Sequence, residues 1–186
     1  MLALVLALAL CPQRIVVTAP TTHSTVATLT LEECGRTVLG PWRARVGRTG
    51  LSSHRHEGDG TTPIGTFAIG PTIYGLDPDP GVRLRYHRLV CGDWWDEDPA
   101  SPTYNHFQHV PCGVAPPFGG DSEALWRATV AYRELAVVEF KGDGSGIFVH
   151  DDTGGPTNGC VSLPRPELLR VLRRLRPGAT ISIGVS

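Results

Sequence analysis

IFVHDDTGGPTNGCVSLP, residues 147–164, opens as an apolar run and passes through a loop of turn residues. It ends with a cysteine set straight after a glycine, ten positions beyond a histidine. A cysteine that only fills a core sits among apolar neighbours on a regular element, because a thiol packs like a small hydrophobe. Cys160 has turn residues before it instead. His150 closes the apolar strand, so its backbone is fixed while its ring faces the following loop. Gly159 has no Cβ, so a carbonyl can approach the backbone closely, and the amides of Gly159 and Cys160 are candidate oxyanion donors. A thiol reacts as thiolate, and its free pKa of about 8.5 is lowered by imidazolium, amides or a helix N-terminus. The bland alternative is a strand-closing histidine and a buried structural thiol.

Working outward, the segment 24–33 (STVATLTLEE) alternates apolar with polar residues as a half-buried strand does. Residues 36–47 read as a second strand broken at Gly40 and Pro41, giving an N-terminal hairpin. Residues 57–70 approach a short strand through turns, 82–91 alternate, and 134–140 and 145–151 are apolar runs split by KGDG. One helix is expected after Pro164 and Pro166, with Leu168, Val171, Leu172 and Leu175 on one face and Pro177-Gly178 as its stop. TISIGV returns as a strand. The expected fold is mainly β, packed mixed sheets of sandwich or barrel type with one C-terminal helix. Residues 92–122 form a long irregular loop too aromatic for a linker.

The chain of 186 residues suits one domain. Seventeen basic and 18 acidic side chains leave a net charge of -1, which argues against nucleic acid as a partner because phosphate binding needs a concentrated basic surface. The run MLALVLALAL (1–10) has the length of a signal-peptide core and is too short to cross a bilayer as a helix. Residues 1–23 are therefore expected to be a leader, with cleavage between 10 and 24 removing Cys11, and 24–186 the domain. Cys11 lacks the small preceding residue of a lipoprotein site. Of the remaining cysteines, Cys91 and Cys112 bracket the irregular loop and are expected to pair in an oxidising compartment. Cys34 is left without an evident partner. A structural Cys34–Cys160 bridge is the alternative that would end any catalytic reading.

Two separated stretches carry a family resemblance. IFVHDDTGGPTNGCVSLP resembles the signature of the L,D-transpeptidase catalytic domain, also called YkuD, which has a histidine, a loop, then Ser/Thr, His, Gly, Cys, an apolar residue and usually Asn. GDGTTPIGTF (58–67) resembles that family's Thr-Pro-x-Gly-x-Phe strand through Thr62, Pro63, Gly65 and Phe67. The likeness spans roughly residues 45–184, and with the block WWDEDPASPTYN it looks like a secreted actinobacterial branch. Three departures stand out: the His150-to-Thr157 loop is short, Asn158 replaces a histidine, and Ser162 replaces the asparagine.

The resemblance implies an extracytoplasmic cysteine acyltransferase acting on peptidoglycan stem peptides, as a monomer without cofactor or metal. Cys160 would be the nucleophile and His150 the proton donor and acceptor. Gly159, Asn158 and Thr157 would position the oxyanion. The histidine of the family is oriented by a backbone carbonyl, here near Asp151, with an Asp151 or Asp152 carboxylate as the alternative. Asp151, Ser162, Trp94, Trp95 and Tyr104 are further candidates for substrate contact. Carboxylates at 93, 96, 97 and 98 can steer an ammonium group, or can be an ordinary solvated acidic loop. The histidine pairs 54/56 and 106/109 lack the spacing of a helical zinc site. Competing functions are an L,D-carboxypeptidase of the same fold and a catalytically silent wall-binding module.

Overall fold

The computed structural model describes residues 11–186. Its frame is a nine-stranded mixed sheet. The strands, in chain order, are β1 (Gln13–Ala19), β2 (Val26–Glu33), β3 (Arg36–Arg45), β4 (Leu51–Ser52), β5 (Thr62–Pro63), β6 (Gly65–Gly75), β7 (Arg85–Arg88), β8 (Asp93–Asp96), β9 (His106–His109), β10 (Glu123–Ala124), β11 (Leu135–Val138), β12 (Phe148–Asp151), β13 (Val161–Leu163) and β14 (Thr180–Val185). The spatial order of the large sheet is β11-β12-β13-β3-β2-β1-β14-β6-β7, and β11 also pairs with β6. That extra pairing closes eight of the strands into a barrel, with β7 left as an edge strand on β6. The single α-helix in the described residues, α1 (Arg165–Leu172), buries Leu168, Val171 and Leu172 in the barrel core. Leu175 joins them, so the apolar face expected from the sequence is the one that packs.

The β2–β3 hairpin forms as the alternation predicts. β3 runs through Gly40 and Pro41 with register shifts opposite Leu31 instead of breaking there. Gln13–Ala19, which lies within the expected leader 1–23, is a central strand, parallel to β14 and antiparallel to β2. Gln13, Ile15, Val17 and Ala19 point inward and the residues between them do not. This period of two is short and lies only two residues beyond the apolar run of residues 1–10, which lies outside the described residues. Cys11 bridges to Cys34, with Cα atoms 5.3 Å apart, and so supplies the partner that Cys34 lacked. Cys91 pairs with Cys112 as expected, and Cys160 is free.

The stretch 92–122 is more ordered than an irregular loop. β8 pairs with β9 on one side and β10 on the other, making a three-stranded sheet that covers one side of the barrel. Two fully buried carboxylates organise it. Asp93 accepts from His87 Nε2 (2.8 Å), His109 Nδ1 (2.7 Å) and the Val90 amide (2.9 Å). Asp96 accepts from Ser101 and Thr103 hydroxyls and the Asp98 amide. Buried carboxylates are tolerated only with such complete partnering. These two are therefore structural, their oxygens taken up by internal partners. His109 is likewise spent on Asp93, and the described residues contain no group of three or more His, Cys, Asp or Glu in a metal-holding arrangement.

Candidate active site

The site follows from the register of two parallel strands. β12 and β13 pair with Val149 opposite Val161 and His150 opposite Ser162. Side chains alternate along a strand, so Phe148, His150 and Cys160 share one face while Val149, Val161 and Leu163 share the other. Burial agrees. Val149, Val161 and Leu163 belong to the barrel core, whereas Phe148 and Cys160 join a second apolar cluster with Trp95, Leu125, Tyr132 and Leu135 beneath the covering sheet. His150 and Cys160 both line one groove of about 620 Å³. Sulfur and imidazole thus meet the same space, and the sulfur is not held by another cysteine.

The His150 ring is pinned from behind. Its Nδ1 lies 2.8 Å from the Asp151 carbonyl oxygen, an atom that can only accept, so Nδ1 carries the hydrogen and donates. Nε2 is left as the basic nitrogen. Of the two orienting groups considered from the sequence, the backbone carbonyl is the one present. The Asp151 carboxylate turns away and accepts from the Glu134 amide (3.0 Å), and Asp152 pairs with Arg45 (3.1 Å). Burial, and next the Glu134 carboxylate beside it, push the Asp151 acid up to about 7. Tyr132 stands edge-on to the imidazole, centroids 5.8 Å apart, and to Phe148.

The Cys160 sulfur accepts from the Phe148 amide (3.3 Å) and donates to the Gly146 carbonyl (3.2 Å). Burial, reinforced by the nearby Glu123 and Glu97 carboxylates, pushes the thiol up to about 12, while the Phe148 amide and Arg55 pull the other way. Burial also lowers the His150 imidazole. Both groups rest neutral at pH 7. The pair thus rests uncharged, and the proton must move as the sulfur attacks.

Thr157 is the staple of the nucleophile loop. Its hydroxyl donates to the Cys160 carbonyl (2.6 Å) and accepts from the Gly159 amide (3.1 Å), while its backbone bonds Val46 and Arg48 beyond β3. The Gly159 amide, expected from the sequence as an oxyanion donor, is thereby occupied by the Thr157 hydroxyl within the loop. Gly159 instead permits a close approach from behind. It has φ +136°, and a Cβ there would lie 2.5 Å from Arg55 Nη1 and 2.8 Å from the Thr61 carbonyl oxygen. Asn158 is exposed on the groove and accepts from Arg48 Nε (3.1 Å).

The remaining candidates divide. Trp94 lines the groove, braced edge-on by Trp126 (5.1 Å) and Phe118 (6.0 Å). Trp95 does not reach it. Only 5% exposed, it packs on Phe148 and donates to Asn105 Oδ1 (2.9 Å), so it anchors the covering sheet. Tyr104 is turned to the Glu57 carboxylate and lies outside the groove lining. Ser162 is walled in opposite Arg45 and His150, its hydroxyl unpartnered. Sequence reasoning missed Glu123, Tyr132, Arg127 and Asp121, which line the groove from the far end of the covering segment. It also missed Arg55, Glu57 and Arg48, which with Cys160 line a second cavity of about 290 Å³. These residues come from turns remote in sequence, where no local pattern marks them. Only Thr62, from the second motif, signals the neighbourhood, its hydroxyl donating toward the Cys160 carbonyl (3.4 Å).

Solved structures that resemble the chain include an L,D-transpeptidase (Yku) from Stackebrandtia nassauensis, at 15% identity, TM-score 0.44, covering 92% of this chain and 55% of that one. L,D-transpeptidase 1 from Mycobacterium tuberculosis is 15% identical, with TM-score 0.43 and coverage of 95% and 63%. The helical cell shape determining protein Pgp2 from Campylobacter jejuni is 12% identical, with TM-score 0.43 and coverage of 93% and 48%. The chain thus spans about half to two thirds of their length. No curated protein matches it. The profile of the YkuD family, L,D-transpeptidase catalytic domain, matches residues 12–183, nearly the whole chain, and the chain belongs to that family.

Proposed function

We propose that the protein is a peptidoglycan L,D-transpeptidase in which Cys160 is the nucleophile and His150 the proton carrier. The observation that carries this reading is the pair itself: a free thiol and an imidazole, its Nδ1 fixed by the Asp151 carbonyl, facing one groove from adjacent strand ends. The thiol proton passes to His150 Nε2 as sulfur bonds to the carbonyl carbon of the diamino acid at stem position three. The tetrahedral intermediate collapses by breaking the bond to the terminal D-alanine, and the imidazolium returns its proton to that leaving amine. The product is a thioester on Cys160. A side-chain amine of a second stem then adds to the thioester, loses a proton to His150 and expels the sulfur, which recovers its hydrogen. The result is a 3→3 cross-link.

The departures in the motif fit this division of labour. Asn158 cannot titrate near neutral pH, so His150 is left as the base, and the exposed amide of Asn158 serves as a positioning group at the groove wall. Trp94 offers an edge of the groove for stem or sugar. Two disulfides in the chain fit a working place outside the cytoplasm, in the cell envelope, where such bonds persist. No helix among the described residues is long and apolar enough to cross a membrane.

The test is incubation of the purified protein with tetrapeptide-containing muropeptides, with products weighed by mass spectrometry. Release of D-alanine with cross-linked dimers supports the proposal. Tripeptide stems without dimers place the chain with the L,D-carboxypeptidases, water having taken the thioester. Unchanged substrate with glycan binding that survives Cys160→Ala identifies a silent wall-binding module.

A further inference from the structure

Behind the nucleophile lies a buried guanidinium that the mechanism above does not use. Arg55 sits in the turn between β4 and β5, and its side chain is only 4% exposed. Nη1 donates to the Thr61 carbonyl (2.5 Å) and faces Asp59 Oδ1 at 3.4 Å, while Nη2 donates to the Ser145 carbonyl (3.3 Å). Two glycines make room for it. At Gly144, φ +146°, a Cβ would stand 2.9 Å from Nε, and at Gly159 a Cβ would stand 2.5 Å from Nη1. These glycines belong to the two corners that hold the sulfur. The 144–146 corner supplies the Gly146 carbonyl that receives the thiol hydrogen, and the Gly159 corner carries Cys160 itself.

We propose that Arg55 is a positioning residue for the nucleophile, the post against which both corners flanking the Cys160 sulfur are set, and the buried positive charge that offsets the carboxylates around it. The inference rests on Cys160 being the reactive group, though not on the identity of the acyl donor. The charges facing the site come from several elements. Glu97 follows β8, Glu123 stands on β10 and Asp121 just before it, Glu57 and Arg48 line the smaller cavity, and Arg127, Tyr132 and His150 line the groove. Glu97 packs against the Gly146 corner, so closely that a Cβ on Gly146 would collide with its carboxylate. The acidic groups disfavour a thiolate at this position and Arg55 favours it. Its Nε hydrogen is buried without a partner, a cost to folding that the loop's own hydrogen bonds do not explain. A planar fork can hold the Thr61 and Ser145 carbonyls at once while lying against Gly159, which a lysine ammonium cannot do with the same geometry.

The experiment measures the pH dependence of Cys160 alkylation by iodoacetamide and its acylation rate by a carbapenem, on the full chain and on Arg55→Gln and Arg55→Lys. Arg55→Gln is expected to move the alkylation midpoint up by about one pH unit, a roughly tenfold slower reaction at pH 8. Arg55→Lys is expected to restore the midpoint but to acylate at least fivefold more slowly than the parent, because charge returns without the fork. A folded Arg55→Gln protein with the parent's alkylation profile overturns the proposal. Should that variant fail to fold, Arg55→Lys decides: acylation at the parent rate overturns the proposal and slower acylation supports it. Alkylation needs no stem peptide, so these shifts in a protein inactive on muropeptides would refute the transpeptidase reading and leave the role of Arg55 standing.

Discussion

At the scale of single residues, the account turns on a thiol and an imidazole that both rest uncharged. Burial raises the Cys160 thiol to about 12 and lowers His150 below its ordinary value. The reacting state is neutral thiol with neutral imidazole, so carbapenem acylation should rise as pH climbs through the lowered His150 pKa and then stay level across neutral pH. A midpoint near 8.5 would instead report a thiol titrating freely without help from His150. His150→Gln removes the base without removing bulk, and the acylation rate should fall by about 10²- to 10⁴-fold with the melting temperature little changed. Glu97 gives a stability signature. Burial, then repulsion from Glu123 and Glu57, raises its acid to about 9. Folded protein therefore keeps a proton that the unfolded chain releases above about pH 4.3, and the associated stability is lost as pH rises toward 9. Glu97→Gln has no such loss, so its melting temperature relative to the parent should climb between pH 5 and pH 9. A constant difference across that range would show that Glu97 is not held protonated.

At the scale of elements, the pairing of β12 with β13 does the assembling, since one register puts sulfur and imidazole on a common face and the valines on the other. That much was legible in the sequence, because His150 closes an apolar run and Cys160 opens another. The β2–β3 hairpin and α1 were legible for the same reason, their burial following periods of two and 3.6. β1 was not, because its few alternating residues follow closely on the apolar run 1–10 and fall inside the stretch expected to be the leader. Nor was the covering sheet, whose strands are polar and whose order comes from buried Asp93 and Asp96 satisfied by residues up to 16 positions away. A buried carboxylate and a solvated one look alike in sequence. The partner of the Gly159 amide was hidden for a related reason, since only the folded loop shows Thr157 occupying it. The Cys91–Cys112 bridge ties the ends of the segment carrying β8 and β9. Replacing both cysteines by serine should cost about 3 kcal/mol in denaturant unfolding, as expected for a loop of this size. The carbapenem should still acylate Cys160 in the folded variant, because the sulfur's contacts lie on β12 and the 144–146 corner.

At the scale of the whole molecule, a closed barrel supplies two rigid strand ends and a separate small sheet roofs them, leaving a groove whose floor is the nucleophile. The barrel holds the pair through backbone registry, and the roof contributes the groove walls through Trp94 and Glu123. Asn105 couples the two bodies. It receives the Trp95 indole and the Gly146 amide, so the roof braces the same corner that accepts the thiol hydrogen. Removing the Asn105 side chain as Asn105→Ala should therefore slow acylation of Cys160 by about tenfold while the barrel's unfolding midpoint falls only modestly, a split visible by combining intact-protein mass spectrometry with denaturant titration. The most direct trial of the central claim is intact mass measurement of the parent protein after brief mixing with a tetrapeptide stem and acid quenching. The account predicts a mass gain equal to the stem less D-alanine, located on Cys160 and absent from Cys160→Ala. An unmodified sulfur with no free D-alanine, in protein whose fold is intact, would contradict it.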